Sequence, residues 1–342
     1  MNYIILLLIG ADFYLGRNNM NFLICGFGNI GQRHFRNLKQ LQPNCKINVY
    51  TKAKADFRIF DNELNISYTN DLKKVYNINK VYHDLEEALL NKYDAGFVCS
   101  LPPNRIDIAI KCAKKGINLF IEKPLSNNLD EIYMLQDIVE KNKLKCALGF
   151  QMRFHPIIQK IQGKIWNEEF GHIYRIEINH CNSIYNWTKG RKDLKDFYGL
   201  KKETGGGVLL SQIHEIDYSF YLFGKYYPIS AIYGNILGFE VEDNISIMSN
   251  LENDGRCTPI IINLDFISSI PKREISIYGT KKIEIFDLLL VNSIEWNNLF
   301  IEEMKVFISS LNNGCQFPLA TLEEGISSLE YVMDIKDNFI KI

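Results

Sequence analysis

The chain has 342 residues, of which 46% are hydrophobic and 23% charged, and its formal net charge at pH 7 is -1. This balance excludes a disordered chain and a protein that coats nucleic acid, and it implies no polyanionic partner. Because single hydrophobic cores rarely grow beyond roughly 250 residues, the length predicts two domains.

Residues 1–19 are predicted to lie outside the folded domains. The apolar run from Tyr3 to Ile9 is typical of the core of a signal peptide, but no basic residue precedes it. It is also shorter than the roughly 20 apolar residues that span a bilayer. Because a second methionine, Met20, directly precedes the first convincing strand, we interpret residues 1–19 as an upstream translation extension. A disordered or edge-strand N-terminus and an export signal are the alternatives.

A strand from Asn21 to Cys25 is followed by a glycine-rich turn and then by a helix from Gln32 to Leu41. The turn reads Gly26-Phe27-Gly28-Asn29-Ile30-Gly31. Its first glycine permits a tight turn, the second lets the backbone approach a pyrophosphate, and the third allows close packing of helix on strand. A phosphate would then meet free N–H groups at the helix N-terminus. An ordinary strand–helix connection is the alternative.

Strands and helices continue to alternate, which predicts a doubly wound parallel sheet. The strands are Ile47 to Tyr50, Ala95 to Cys99, Asn118 to Ile121 and Lys145 to Gly149, and the helices are Leu85 to Leu90, Ile106 to Lys115 and Leu129 to Lys141. The polar stretch from Ala53 to Asn79 shows no pattern and receives no assignment.

The end of the second strand bears on cofactor choice. An acid there would accept hydrogen bonds from the ribose 2′-hydroxyl of NAD, but the chain has Thr51 and Lys52. A hydroxyl and a lysine suit a 2′-phosphate, which favours NADP. The alternative is that Lys52 and Lys54 are solvated loop charges.

From Gln151 onward a helix is followed by strands in succession, which predicts an α+β domain with a large, mostly antiparallel open sheet. The strands lie near His172 to Cys181, Ile229 to Ile236, Asn244 to Asn250, Pro259 to Phe266, Glu274 to Tyr278 and Lys281 to Phe286, and helices near Leu299 to Leu311 and Leu322 to Phe339 close the chain. We therefore divide the chain into a dinucleotide-binding domain at 20–149 and a C-terminal α+β domain at 150–342. The aromatic and basic segment from Asn182 to Thr204 is interpreted as a sugar-binding loop, with a solvated mobile loop as the alternative.

Four separated segments occur in a characteristic order. They are Gly26 to Gly31 with His34, Leu101 to Asn104, Glu122-Lys123-Pro124, and Gly205 to Asp217. In that order they resemble the Gfo/Idh/MocA family of oxidoreductases, which includes glucose-fructose oxidoreductase and inositol dehydrogenase. The resemblance covers nearly the whole chain from Met20 onward and implies a Rossmann domain that binds NAD(P).

The resemblance implies that Lys123 lies beside the nicotinamide and the substrate, after which comes a peptide bond to Pro124 that is often cis. The expected cofactor contacts are Gly26, Phe27, Gly28, Asn29, Ile30, Gly31, Thr51, Lys52, Ser100, Leu101, Pro102, Asn104, Glu122, Lys123 and Pro124. The expected substrate contacts are Lys123, Arg153, Tyr198, Ser211 and His214. The expected catalytic pair is Lys123 with His214, and no metal is expected.

The chain departs from the family at two places. Arg105 and Ile106 stand where a histidine is common, so no catalytic meaning is attached to them. Leu210 and Ser211 occupy the positions at which an aspartate usually precedes the histidine. The usual Lys-Asp-His constellation is therefore in doubt.

Oxidation of a secondary alcohol requires a base for the hydroxyl proton, and a histidine that titrates near neutrality suits that task. His214 follows three glycines, interpreted as letting the chain approach a ligand, and shares a helix face with Asp217, which either orients the imidazole or merely packs. Lys123 would stabilise developing alkoxide charge. A metal site built from His172, His180, His214 and Asp217 matches no standard zinc spacing.

The leading hypothesis is a cytoplasmic dehydrogenase or reductase of a sugar, a cyclitol or a nucleotide-linked sugar. Scattered single cysteines, such as Cys25 and Cys99 in apolar runs, favour a reducing compartment. The alternatives are a catalytically impaired dinucleotide-binding regulator or scaffold and a reductase of a non-sugar carbonyl or imine, like biliverdin reductase. The resemblance implies that the C-terminal α+β domain binds the substrate and forms a homodimer or homotetramer through its sheet, and no nucleic-acid or membrane partner is expected.

Overall fold

The protein is represented by a computed structural model, which describes residues 19–61, 65–188, 194, 197–253, 255–289, 293–314 and 316–340. The predicted extension at residues 1–19 lies outside the described residues, except for residue 19. Part of the proposed sugar-binding loop, at 189–193 and 195–196, also lies outside them.

The first half of the chain alternates strands with helices. Its strands are β1 (Asn21–Cys25), β2 (Lys46–Tyr50), β3 (Phe57–Phe60), β4 (Ile66–Thr69), β5 (Lys80–Tyr82), β6 (Ala95–Val98), β7 (Asn118–Glu122) and β8 (Cys146–Gly149). Its helices are α1 (Asn29–Leu41), α2 (Leu72–Tyr76), α3 (Leu85–Ala88), α4 (Arg105–Lys114) and α5 (Ile132–Lys141). Strands β1, β6 and β8 are apolar and wholly buried or nearly so, as expected for parallel strands covered on both faces.

The second half contains a six-stranded sheet and the remaining long helices. Its strands are β9 (Ile173–Cys181), β10 (Tyr227–Gly234), β11 (Asn244–Asn253), β12 (Arg256–Asp265), β13 (Lys272–Gly279) and β14 (Ile283–Asp287), and a two-residue strand β15 (Ala320–Thr321) follows later. Its helices are α6 (Pro156–Trp166), α7 (Ile184–Trp187), α8 (Val208–Ser211), α9 (His214–Phe223), α10 (Ser293–Asn313) and α11 (Leu322–Asn338).

The first sheet has the strand order β15-β8-β7-β6-β1-β2-β5, and every neighbouring pair in it is parallel except β15 with β8. The chain order reverses between β1 and β6, and in open parallel sheets ligands bind beyond the carboxyl ends of the strands at such a reversal. The glycine turn after β1 and the segment after β6 therefore meet at one edge.

The second sheet has the order β10-β11-β12-β9-β13-β14, with antiparallel neighbours except for the parallel pair β12 and β9. Alternate residues of β12 face the core, and the residues between them face outward. Helix α8 packs near β11 and β12. The carboxyl end of β9 brings His180 to the cleft between the two domains.

The C-terminal part of the chain returns to the first sheet. Strand β15 pairs with β8 through Ala320 and Leu148, and α11 begins immediately afterwards. Thr321 caps that helix: its hydroxyl accepts a hydrogen bond from the Glu324 N–H, and the Glu324 carboxylate accepts one from the Thr321 N–H.

The predicted combination of a parallel Rossmann sheet with a second, mostly antiparallel sheet is confirmed. The stretch from Ala53 to Asn79, which received no assignment, contains the hairpin β3–β4 and the helix α2, and the edge strand β5 follows it. Among the described residues, no helix has both the length and the apolar character needed to cross a bilayer.

Candidate active site

The glycine turn between β1 and α1 forms a cradle with open space at its centre. Gly26 has φ +98°, and a Cβ added there would lie 2.7 Å from the Ser100 nitrogen. A Cβ on Gly31 would lie 2.1 Å from the Gly26 carbonyl oxygen, so this glycine is needed for packing. A Cβ on Gly28 would meet no atom within 4 Å, which leaves room for a ligand beside the backbone.

Two buried polar atoms beside this cradle have no hydrogen-bond partner within the part of the chain that the structure describes. They are Asn29 Oδ1 and Ser100 Oγ. Helix α1 has no side-chain cap and no acidic residue in its first turn. Because buried polar groups are normally paired, these atoms fit a bound dinucleotide with its pyrophosphate at the helix N-terminus.

Thr51 and Lys52 are expected to select between NAD and NADP, and Lys52 lies beside Asn104, another expected cofactor contact. Thr51 is buried after the end of β2, whereas Lys52 is exposed and its Nζ lies 3.4 Å from Asn104 Oδ1. Other expected cofactor contacts differ in exposure: Leu101 is exposed, and Pro102 is buried at the start of a short 3₁₀ helix. Phe27 packs edge-on against Phe35, on the helix that follows the glycine turn.

A cavity of about 330 Å³ lies between the two domains. The Rossmann domain contributes Ile30, Arg105, Glu122 and Lys123, and the rest of the chain contributes Gln151, His180, Tyr198, Ser211, Gln212, His214, Arg273, Trp296 and Phe300. The cavity thus brings together Lys123, Tyr198, Ser211 and His214, all four of which were predicted to contact substrate.

Lys123 follows β7 and is held from both sides. Its Nζ donates a hydrogen bond to the Ser211 carbonyl oxygen at 2.7 Å, and its backbone N–H donates to Glu122 Oε2 at 3.2 Å. Glu122 Oε1 in turn lies 2.6 Å from Nε2 of the buried His34. The Lys123–Pro124 peptide bond is cis, as the resemblance implied.

The charge state of Lys123 is sensitive to its surroundings. Burial is the main reason that the pKa of its ammonium group is lowered to about 8. Arg105 and Arg273 act in the same direction, and Glu122 and Glu215 oppose them. Lys123 therefore titrates within the range of ordinary enzyme assays.

His214 is the first residue of α9 and is 5% exposed. Its Nδ1 has no hydrogen-bond partner among the described residues, and its ring packs edge-on against Phe150. Burial, and then the positive charges of Lys123 and Arg273, lower its pKa well below 6.5. The imidazole is therefore neutral at pH 7, which is the state that a proton acceptor requires.

A buried charge cluster lies beside this pair. The Glu215 Oε1 atom accepts a hydrogen bond from Arg273 Nε at 2.8 Å and lies 2.7 Å from Arg273 Nη2 and 2.8 Å from His180 Nδ1. Burial alone would raise the pKa of Glu215, but Arg273 and His180 lower it to about 2. The glutamate is therefore ionised, and it holds two residues of the cavity wall in place.

Comparison with known proteins agrees with this arrangement. The Gfo/Idh/MocA model described as an oxidoreductase family with an NAD-binding Rossmann fold matches residues 20–150, and the Gfo/Idh/MocA C-terminal domain model matches residues 158–283. The chain belongs to the Gfo/Idh/MocA family. It is related to inositol dehydrogenases and has the family's NAD-binding Rossmann domain.

Two curated members of the Gfo/Idh/MocA family illustrate the relationship. The myo-inositol 2-dehydrogenase of Thermotoga maritima is 26% identical over 209 residues, which is 60% of this chain and 55% of that protein. The scyllo-inositol 2-dehydrogenase (NAD(+)) of Bacillus subtilis is 26% identical over 215 residues, which is 63% of this chain and 57% of that protein. The chain thus spans little more than half the length of these relatives.

Solved structures share the fold over most of the chain. The scyllo-inositol dehydrogenase of Lactobacillus casei, with bound NAD(H) and scyllo-inositol, has a TM-score of 0.76 and 18% identity, with 94% of this chain and 97% of that one covered. The WlbA dehydrogenase of Bordetella pertussis, in complex with NADH and UDP-GlcNAcA, has a TM-score of 0.75 and 16% identity, with the same coverage.

Arg153 was expected to face the substrate, but the structure places it outside the cavity wall. Its guanidinium group donates to Asp217 at 2.7 to 3.2 Å and to Glu324 at 3.0 Å, and it lies over the Tyr221 ring. The suggestion that Asp217 orients His214 is not supported either, because the Asp217 carboxylate is engaged by Arg153. Arg153 instead links α9, through Asp217, to the start of α11, through Glu324.

The glycine run before His214 packs against protein atoms rather than opening toward a ligand. Gly207 has φ +107°, and a Cβ there would lie 2.2 Å from Glu242 Oε1. A Cβ on Gly205 would lie 2.6 Å from Asn127 Cβ in the Rossmann domain. The interpretation of this run as a ligand approach is therefore wrong: it permits close contact between segments of the protein.

Leu210 and Ser211, which replace the usual aspartate, leave Lys123 without a carboxylate from α8. Leu210 is buried, and Ser211 contacts the Lys123 ammonium through its backbone carbonyl rather than its hydroxyl. Among the described residues, no group of three or more side chains has the arrangement of a metal site.

Sequence reasoning missed several residues of the wall. Trp296 and Phe300 reach the cavity from α10, which is positioned by a hydrogen bond of 2.8 Å from Arg33 Nη1 to Asn297 Oδ1. No motif marks this helix as part of a site. Arg273 pairs in register with His180 across β13 and β9, and the sequence does not reveal that register.

Proposed function

We propose that this chain is a nicotinamide-dependent dehydrogenase or reductase that interconverts C–OH and C=O on a sugar, a cyclitol or a nucleotide-linked sugar. The observation that carries the proposal is that Lys123 and His214, from different domains, lie in the wall of one cavity. Ile30 of the glycine cradle lies in the same wall, so the cavity adjoins the expected nicotinamide site.

The two catalytic residues have complementary charge states near pH 7. The neutral imidazole of His214 accepts the proton of the substrate hydroxyl as the carbinol is oxidised. The Lys123 ammonium donates a hydrogen bond to the same oxygen and stabilises its developing negative charge. A bound nicotinamide dinucleotide would supply the two-electron chemistry as the acceptor of the carbinol hydride. In the reductive direction the protonated His214 returns this proton to the carbonyl oxygen, while the Lys123 ammonium keeps its hydrogen bond to the same oxygen.

The names of relatives support a polyhydroxylated substrate. Curated family members are named for inositols, and the solved relatives hold scyllo-inositol or UDP-GlcNAcA. In this chain Tyr198, Trp296 and Phe300 give the cavity aromatic faces on which a ring could stack. We further propose a cytoplasmic enzyme, since the seven cysteines that the structure describes are all free.

The family description and the ligands of solved relatives support NAD(H) as the cofactor. The preference for NADP stays a prediction that rests on Thr51 and Lys52. Calorimetry with NADH and NADPH tests it in the wild type and in Lys52→Glu. If NADH binds more than tenfold tighter to the wild type, a difference of about 1.4 kcal/mol, the prediction is wrong.

Turnover by the purified protein tests the proposed function. NAD⁺ and NADP⁺ reduction is followed with myo-inositol, scyllo-inositol and UDP-GlcNAcA. His214→Ala and Lys123→Ala should each lose roughly 10²- to 10⁴-fold in turnover while they still bind NADH. His172→Ala, an exposed histidine outside the cavity, is the matched control. Full activity in His214→Ala would contradict the assignment, whereas NADH binding without turnover of any carbonyl or alcohol would favour the regulatory alternative.

A further inference from the structure

The cavity wall carries more positive than negative charge. Its cations are Arg105, Lys123 and Arg273, and the carboxylates in or directly behind the wall are Glu122 and Glu215. The balance is one positive charge in excess. Because uncompensated charge in a buried site is costly, a ligand of opposite charge would be stabilised there.

Two of these cations have no carboxylate within ion-pair distance. Arg105 is 5% exposed, and its guanidinium group donates to two neutral backbone carbonyls, those of Ser100 and Pro124. The Lys123 ammonium likewise donates to the carbonyl of Ser211. Among the described residues, no Asp or Glu oxygen lies within 4.0 Å of either group.

Glu122 cannot form an ion pair with the Arg105 guanidinium group or the Lys123 ammonium group without losing its present contacts. One of its oxygens lies 2.6 Å from His34 Nε2, and the other accepts the backbone N–H of Lys123. A Cβ on Gly149 would lie only 3.0 Å from the carboxylate, so the group is also tightly enclosed. The negative charge of Glu122 reduces the net positive charge of the cavity wall. Its two oxygens, however, are already engaged by His34 and by the backbone of Lys123.

Arg273 is the cation best suited to hold an anion. It is 6% exposed and lines the cavity, and Glu215 meets its Nε and Nη2 through a single oxygen. A guanidinium group has five N–H donors in a planar fork, so one carboxylate oxygen does not exhaust it. Planar forks of this kind recognise carboxylates through paired hydrogen bonds.

We propose that the substrate bears a carboxylate, which lies against the Arg273 guanidinium group within the same cavity as the hydroxyl that Lys123 and His214 address. This inference rests on the proposed function and narrows its substrate class to sugar acids and related hydroxy acids. A carboxylate is a monoanion and matches the single excess charge, whereas a phosphate dianion does not. The carboxylate takes no part in the redox step, so the transfer of hydride and proton is unchanged.

Matched pairs of an acid and its neutral counterpart test the proposal directly. Binding to the NADH-loaded protein is measured by calorimetry with lactate against lactamide, glucuronate against glucose, and UDP-glucuronate against UDP-glucose. In the wild type, the acid of at least one pair should bind about 10- to 100-fold tighter than its neutral partner, as charge-assisted hydrogen bonds allow. If no acid binds tighter than its neutral partner, the proposal is overturned.

Variants of Arg273 then test whether this residue causes the preference for an acid over its neutral counterpart. Arg273→Gln leaves Glu215 without its main partner and could fail to fold, so Arg273→Gln/Glu215→Gln removes both charges together. The double variant should lose the preference for acids, and Arg273→Lys should keep part of it. Arg175→Gln removes an arginine that lies over the Tyr278 ring, away from the cavity, and is the matched control. An acid preference that survives in the double variant would overturn the role of Arg273.

The outcomes separate this proposal from the function on which it rests. Glucose 6-phosphate bound tighter than glucuronate would replace the carboxylate with a phosphate and overturn the inference. Turnover of neutral polyols in preference to acids would uphold the dehydrogenase and overturn the carboxylate. Tight binding of acids without NADH formation in any assay would uphold the carboxylate site and contradict the dehydrogenase.

Discussion

The atoms next to each glycine of the cradle determine whether a side chain can be introduced there. A Cβ on Gly28 meets no protein atom, whereas a Cβ on Gly31 would overlap the Gly26 carbonyl oxygen. We therefore expect Gly28→Val to fold normally and to lose NADH binding, because the side chain fills the space reserved for a pyrophosphate. Gly31→Val should be strongly destabilised. Thermal melts and calorimetry with NADH check both variants, and equal NADH affinity in Gly28→Val and wild type would refute the cradle.

The pH dependence of alcohol oxidation should follow Lys123 rather than His214. Sequence reasoning pointed to a histidine that titrates near neutrality, but the pKa of His214 is lowered well below 6.5, while that of Lys123 is about 8. Activity requires a neutral His214 and a charged Lys123. The value of kcat/KM should therefore be nearly level from about pH 6.5 to 7, fall to about half near pH 8, and decline further above it.

Lys123→Arg is the control for this profile, since a guanidinium group stays charged across the assay range. Its activity will be lower, but the fall above pH 8 should disappear. A steep loss of wild-type activity between pH 7 and 6 would show instead that His214 takes up a proton there, contrary to the positive surroundings that the structure gives it.

Site residues could be predicted where a short motif carries them. Lys123 and His214 belong to ordered segments that resemble a family, and both reach the cavity. Arg273 and Glu215 could not be predicted in the same way. Whether an arginine within a strand faces a site or the solvent is not known until its neighbouring strand and the register between them are known. Whether Glu215, the neighbour of His214, points inward depends on how helix α9 is buried.

At the level of whole elements, apolar runs were the reliable signal. Strands β1, β6 and β7 are nearly continuous apolar segments, since parallel strands are buried on both faces, and the sequence places them correctly. Strand β5 has three residues, and Phe60 is the single buried residue in the strands of the hairpin β3–β4, so neither has an apolar pattern to read. Strand β15 has only two residues and depends entirely on its partner β8.

The start of helix α11 offers a test of local capping. Thr321→Ala removes the hydroxyl that caps the helix and also weakens the hold on Glu324, which pairs with Arg153. The expected loss in free energy of unfolding is about 0.5–2 kcal/mol, as for other N-caps. Urea denaturation measures it, with Thr321→Ser as the control that keeps the hydroxyl. A loss below a few tenths of a kcal/mol would mean that water replaces the cap.

At the scale of the whole molecule, the outer face of the second sheet is the proposed interface between copies of this chain. Met248 and Ile285 lie on this face and are 50% and 63% exposed. Since exposed apolar side chains on a sheet favour association, Met248→Glu/Ile285→Glu should convert an oligomer into monomers in analytical ultracentrifugation. Ile270→Glu changes an exposed apolar residue outside the strands and is the matched control. A wild-type protein that is already monomeric at micromolar concentration would contradict the interface.

Ala320 and Thr321 form β15 and leave the ribosome long after β8, the strand with which they pair. The edge of β8 beside Leu148 has no partner on that side until β15 arrives, and unpaired strand edges invite aggregation. Synthesis of the intervening chain takes roughly ten to thirty seconds at usual rates of translation. The nucleotide-binding domain is therefore encoded first, but its sheet is completed last, when β15 pairs with β8.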